Sequence, residues 1–182
     1  MSNKYVFDLK SDEHHRPLPR RMTMGQGDNE TVLHSVLKLL GFILFFRERL
    51  EVGGKLHNDN IPFDPDIVQL DYTLRPVLWI ECGDCGVNKL NKLAVKVPDA
   101  EIWILKSSPL EAQTLITAMR KEELRKDRYN LIGFDPDIIQ ELCDLVRPRN
   151  ELFWLKGSFE PAHMEFDFNG LWFDTSFTVL RH

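Results

Sequence analysis

The chain is poor in the features that would make several functions easy to read. It has three cysteines, an odd number, so paired disulfides cannot absorb them all, and without a secretion signal they point to a reducing compartment. It has no excess of positive charge. Its 23 Lys and Arg stand against 28 Asp and Glu, and a formal net charge of −5 excludes a global field that would draw in nucleic acid. Basic side chains gather only locally, at Arg120, Lys121, Arg125, Lys126 and Arg128. No apolar run is long enough to cross a bilayer: the richest, 36–46, is too short and holds Lys38. The N-terminal MSNKYVFDLKSDEHHRP has no apolar segment after its charges, so no signal peptide is expected and the protein reads as cytoplasmic, without membrane contact. There is no glycine-rich phosphate loop and no serine–histidine–acid pattern.

What remains is an ordinary globular composition, 43% hydrophobic and 28% charged over 182 residues, which suits one α/β domain over 1–182. Alternation predicts strands at 4–10 and 21–25, a hairpin around a polar Asp-Glu-His-His loop. Asp28 or Asn29 caps the first helix, with Glu30 in its first turn. That helix has apolar residues at 32, 33, 36, 37, 39, 40, 43, 44 and 46, too many for a single buried stripe. Short strands are expected at 50–52 and 55–57 around Gly53-Gly54. A hairpin over 66–72 and 77–82 follows, then a helix over 87–97 and a buried strand at 101–106. A Ser108-capped helix runs to about residue 126, by the same periodicity. A strand at 130–134, a helix from Asp135-Pro136, and strands at 152–155, 164–168 and 171–180 complete the chain. Asn169-Gly170 marks a type I′ turn between the last two. FDPDIVQ at 63–69 nearly recurs as FDPDIIQ at 134–140, yet LDYTLRPVLWI follows the first copy and ELCDLVRP the second. The first therefore reads as strand and the second as helix.

The chemistry concentrates in 63–97. A turn near Thr73 and Leu74 makes facing residue numbers of the hairpin sum to about 147, which sets Asp66 opposite Glu81. Two carboxylates that close repel one another, so their usual justification is a hard divalent cation or a shared proton. From Glu30 to Lys106 the element order is αβββαβ, with additions of an N-terminal hairpin and a C-terminal β-meander to one mixed sheet. This order resembles the core of the PD-(D/E)XK nuclease fold, over about residues 28–106. There the first helix offers a glutamate, the second strand an aspartate after proline, and the third strand a glutamate two residues before a lysine. Glu30, Pro65-Asp66 and Glu81 match, and Gly83 stands where the lysine belongs.

That departure, with Glu30-Thr31 leading into KLLGF and RERL, Leu78-Trp79-Ile80-Glu81-x-Gly83, and Lys89-Leu90-x-Lys92, resembles the YaeQ family over nearly the full length. The resemblance implies a site for metal-assisted phosphodiester hydrolysis. Mg²⁺ sits on Asp66, Glu81 and the carbonyl of Cys82, and Glu30 holds a second water or metal. Lys92, or less favourably Lys89, reaches back to replace the missing lysine. The alternative it implies is a catalytically inactive nuclease-fold protein that binds nucleic acid or a protein partner. On the residues alone, Glu30 is a first-turn acid complementing the helix dipole, and Lys89 and Lys92 are a solvated helix face. Likewise Asp66 is a residue at the start of a strand and Glu81 a charge at a strand's end. A minor rival uses Cys82-Gly83-Asp84-Cys85, a CxxC between strand and helix, as a thiol redox site or half a zinc knuckle. The aromatic C-terminal run reads as sheet core rather than a base-stacking surface.

Overall fold

In the computed structural model, which describes residues 3–182, four α-helices and eleven strands form four layers, among the described residues. The strands are β1 (Lys4–Ser11), β2 (Arg21–Gly25), β3 (Leu50–Val52), β4 (Ile67–Leu70), β5 (Pro76–Cys82), β6 (Glu101–Lys106), β7 (Tyr129–Gly133), β8 (Arg149–Phe159), β9 (Ala162–Phe168), β10 (Leu171–Ser176) and β11 (Thr178–Arg181). The helices are α1 (Val32–Phe45), α2 (Val87–Lys96), α3 (Pro109–Lys121) and α4 (Pro136–Leu145). There are two mixed sheets, not the single one expected. The N-terminal hairpin and the C-terminal meander join as β10-β9-β8-β1-β2, and the second sheet runs β11-β7-β6-β5-β4-β3.

The reason lies in α1. Ten of its 14 residues are buried, because both sheets close on it. Phe7, Leu9, Trp154, Phe166 and Phe168 cover one side, and Ile67, Leu78, Ile80 and Leu105 the other. A helix apolar all round needs such a sandwich. Arg16, from the first hairpin loop, donates to the carbonyls of Ile43 and Leu44 at the helix's C-terminal end and lies over the Trp154 ring. Beyond the six-stranded sheet, α2 and α3 pack through Leu90, Leu93, Leu115 and Met119 onto Trp79, Ile102 and Ile104.

Several boundaries move. The N-cap of α1 is Thr31, whose hydroxyl accepts from the His34 amide, so Glu30 lies just outside the helix rather than in its first turn. Residues 55–57 form no strand. The expected strand over 171–180 breaks at buried Phe177, and β11 crosses to pair with β7 in the other sheet. The near-repeat divides as expected: Asp135 caps α4 and Pro136 takes its first turn, whereas Ile67 onward pairs between β3 and β5. Asn169 and Gly170 both have positive φ, 51° and 87°, as a type I′ turn requires. Among the described residues, no helix is long and apolar enough to cross a membrane.

Candidate functional site

β5, β6 and β7 run parallel, so their C-terminal ends, and the starts of α2 and α3, lie along one edge of the six-stranded sheet. Such an edge is where α/β sheets ordinarily bind ligands. Beyond a shift at Gln69/Leu70, which leaves Leu70 facing Pro76, the hairpin register is the expected one: Ile67 faces Ile80, Val68 faces Trp79 and Gln69 faces Leu78, each pair summing to 147. Asp66 comes one residue before β4, beside Glu81.

The two carboxylates nevertheless take different partners. Asp66 Oδ2 accepts from the Cys82 amide at 2.7 Å, and Oδ1 turns to α1, 2.8 Å from His34 Nε2 and 3.7 Å from Lys38 Nζ. It is thus the N–H of Cys82 that addresses Asp66. Glu81 instead faces α2: Oε1 accepts from the Trp79 indole at 2.8 Å and Oε2 from Lys89 Nζ at 2.9 Å. Glu30 folds back over the start of α1, with Oε1 accepting from Lys38 at 2.7 Å and Oε2 from the Gly27 amide at 3.2 Å. Donor atoms of Glu30, His34 and Asp66 all lie within 4.8 Å of one another, and Glu81 is not in that set. Glu30 and His34 open onto a cavity of about 230 Å³ whose far wall holds Asp84, Ser107 and Glu111.

Burial and pairing divide the charges. Burial works to raise Asp66 and Glu30, but both end below the ordinary carboxylate range. His34, the Cys82 amide and Lys38 outweigh it at Asp66, and Lys38, the Gly27 amide and His34 do so at Glu30. Glu81 goes the other way: burial holds it above the ordinary range despite Trp79 and Lys89. Lys89 loses some basicity to burial and regains more from Glu81, so its pKa is raised. The asymmetry follows depth, since the Glu81 side chain is 5% exposed and that of Lys89 is 32%. The charge of Asp66 is felt at both, which places the pair within electrostatic reach of it.

His34 and Lys38 were not anticipated here, although a signal existed. Glu30, His34 and Lys38 recur every four residues along one helix face, and a lysine within an apolar run needs a partner when buried. Nε2 of His34 is buried and stands 2.8 Å from Asp66 Oδ1 without hydrogen-bond alignment, an electrostatic contact. Lys92 is exposed on α2 and makes no side-chain hydrogen bond or ion pair among the described residues, whereas Lys89 does. Gly83 has φ +78°, a conformation a lysine would hold only under strain, which accounts for the missing side chain. Lys106, from neighbouring β6, donates to the Gly83 carbonyl at 2.6 Å.

The model of the YaeQ protein family matches residues 7–154. The chain belongs to the YaeQ family. Two solved structures are similar to it throughout. The YaeQ protein from Xanthomonas axonopodis pv. citri is 20% identical, covers 100% of this chain and 99% of its own, and has a TM-score of 0.76. The YaeQ protein from Pseudomonas syringae is 15% identical, covers 100% and 97%, and also has a TM-score of 0.76. No curated protein matches.

In this YaeQ chain the two cysteines of the CxxC motif pack against different cores. Cys82 belongs to the core around α1, and Cys85 packs against the core on the other face of the sheet. All three cysteines are free. Burial above all pushes the Cys82 thiol well above its ordinary value and the Cys85 thiol to about 12, so neither supplies a thiolate at neutral pH. Among the described residues, two sets of three donors have metal-ligand spacing, and neither includes a cysteine. The second set, His163, Glu165 and Asp174, lies on the outer face of the five-stranded sheet, with Glu165 tied to Lys156 at 2.8 Å. The basic cluster at Arg120, Lys121, Arg125 and Lys126 is exposed, but at the wrong end of α3. The 13 residues of that helix span about 20 Å from the site edge. Arg128 is spent on the carbonyls of Val97 and Ala100 behind α2.

Proposed function

We propose that this protein is a divalent-cation-dependent phosphodiesterase, its αβββαβ stretch from α1 to β6 acting as a PD-(D/E)XK-type core. The observation that carries the reading is the convergence of Glu30, His34 and Asp66, donors within 4.8 Å of one another, two of them opening on a cavity at the sheet edge. This set fits a divalent cation: it combines two carboxylates held ionised with a buried ring nitrogen that lacks an aligned hydrogen bond. Glu30, His34 and Asp66 would hold the ion, which when bound lowers the pKa of a coordinated water and offsets charge on phosphate.

The remaining tasks belong to the chain's own groups. The Cys82 amide fixes one oxygen of Asp66 and so aims the other toward α1. Lys89 takes the part of the lysine absent at Gly83: Glu81 holds its ammonium at 2.9 Å, where it attracts a phosphate oxygen or orients a water. Glu81 is then a positioning residue for Lys89 rather than a ligand. Lys106 anchors the Gly83 turn that carries the chain from β5 to α2.

A non-catalytic protein that binds nucleic acid or a protein partner is the second reading. It is favoured by the distance of about 20 Å between the exposed basic cluster and a site rimmed by Asp84 and Glu111. One experiment separates the two. Single-stranded, duplex and structured DNA and RNA are incubated with Mg²⁺ or Mn²⁺ and wild type, Asp66→Asn or Lys89→Met. Cleavage by the wild type that falls by about 10²-fold or more in both variants is expected. Absence of cleavage, or cleavage equal in Asp66→Asn, overturns the enzyme reading, and binding without cleavage supports the second.

A further inference from the structure

We infer that the cation of this site is a first-row transition ion rather than Mg²⁺, selected by His34 Nε2. The inference rests on the cation-dependent reading above and narrows it to a class of ion.

Mg²⁺ demands a near-ideal octahedron of oxygens and binds largely through charge. The charge on offer here is already partly used. Lys38, 7% exposed and unable to swing into solvent cheaply, takes one Glu30 oxygen at 2.7 Å and stands 3.7 Å from Asp66 Oδ1. A hard ion entering beside that fixed ammonium loses much of its electrostatic gain. An ion that also bonds nitrogen has a second source of affinity, and imidazole favours the first-row transition metals over magnesium.

The ring is set up for that role. Its backbone is fixed where the Thr31 hydroxyl accepts from the His34 amide at 3.2 Å. Nδ1 lies 3.6 Å from Glu30 Oε1, and Nε2 lies 2.8 Å from Asp66 Oδ1, so the imidazole bridges both carboxylates. Adjacent ligands of an octahedral ion at ordinary bond lengths are about 3 Å apart. The separation of Nε2 and Oδ1 therefore matches two neighbouring positions on one ion. Nε2 has no aligned hydrogen bond to give up, and an ion taking it replaces the proton it turns toward Asp66.

The test measures Mn²⁺ binding by the electron paramagnetic resonance of the free ion, with Mg²⁺ as competitor. Pulsed spectra report nitrogen coupling to bound Mn²⁺. The proteins are wild type, Asp66→Asn and His34→Gln, the last offering oxygen in place of nitrogen at similar length. The wild type binds Mn²⁺ with nitrogen coupling and releases it only to a large excess of Mg²⁺. His34→Gln loses the coupling and about tenfold or more of its Mn²⁺ affinity, while its Mg²⁺ affinity is unchanged. Asp66→Asn binds neither. Coupling and preference that persist in His34→Gln overturn this inference and leave the cation-dependent reading intact. A wild type that binds neither ion overturns both.

Discussion

Replacing Lys38 by Met asks whether the ion network beneath the site holds the fold. Methionine keeps the unbranched stem and nearly the volume, so the packing of this 7% exposed side chain is preserved and the ammonium alone is removed. The loss is one charge-assisted hydrogen bond to Glu30, worth about 1.5–3 kcal/mol. It stays below the roughly 3–5 kcal/mol of an orphaned buried charge, because other partners remain. Glu30 keeps the Gly27 amide, and Asp66 keeps the Cys82 amide and His34. The expected cost is about 2 kcal/mol at pH 7, or about 4–8 °C in Tm for a chain of this size.

Its pH dependence identifies the cause. Lys38 helps hold Glu30 and Asp66 below their ordinary values of 4.5 and 3.8. A carboxylate with a lowered folded pKa contributes stability that is fully present above its unfolded value and lost as pH falls through the folded one. The gap between variant and wild type should therefore be constant from pH 7 to about 5 and shrink from about pH 4.5 downward. Urea unfolding followed by tryptophan fluorescence measures it, since Trp79 and Trp154 are buried. A gap of the same size at pH 7 and at the lowest pH where both proteins fold would assign the effect to packing and refute the argument. No gap at all would show that the network adds nothing.

Three further outcomes follow from neighbouring features. Glu81→Gln keeps an acceptor for the Trp79 indole and removes a carboxyl that burial holds above 4.5. A raised folded pKa gives stability below the unfolded value that is lost as pH rises, so the variant should stay within about 1 kcal/mol of wild type at pH 7 and gain on it as pH rises above 4.5. A loss of 3 kcal/mol or more in denaturant melts would contradict this. Gly133→Ala would set its Cβ 2.6 Å from Pro109 Cα and 2.8 Å from the Ser108 carbonyl, backbone that cannot yield, and should cost at least about 1–3 kcal/mol. Gly25→Ala meets nothing within 4 Å and serves as the control in the same melts. With its pKa pushed to about 12, Cys85 should be thiolate in about one molecule in ten thousand at pH 8, so native labelling should be far slower than in urea. Rapid native labelling would restore the redox reading.

Much of this protein was legible along the chain because local rules decide it. The facing of Ile67 with Ile80 was as expected, although an irregularity at Gln69/Leu70 sets it rather than the turn alone; the type I′ turn followed from Asn169-Gly170, and the different fates of the two FDPDI segments from the residues after them. The sandwiched α1 was implied by apolar residues on all its faces, and the family by the order of short motifs. Only the tertiary structure decided what register cannot carry. Two side chains that face across a strand pair still choose their partners by torsion, and helices on opposite faces of the sheet supply different ones. Asp66 turned to α1 and met His34 and Lys38, and Glu81 stayed with α2 and met Lys89. The choice between Lys89 and Lys92 was likewise one of helix azimuth, fixed when Leu90, Leu93 and Ala94 were buried. The hairpin at 66–82 was therefore readable as a place, but its chemistry belongs to helices that only the packing brings to it.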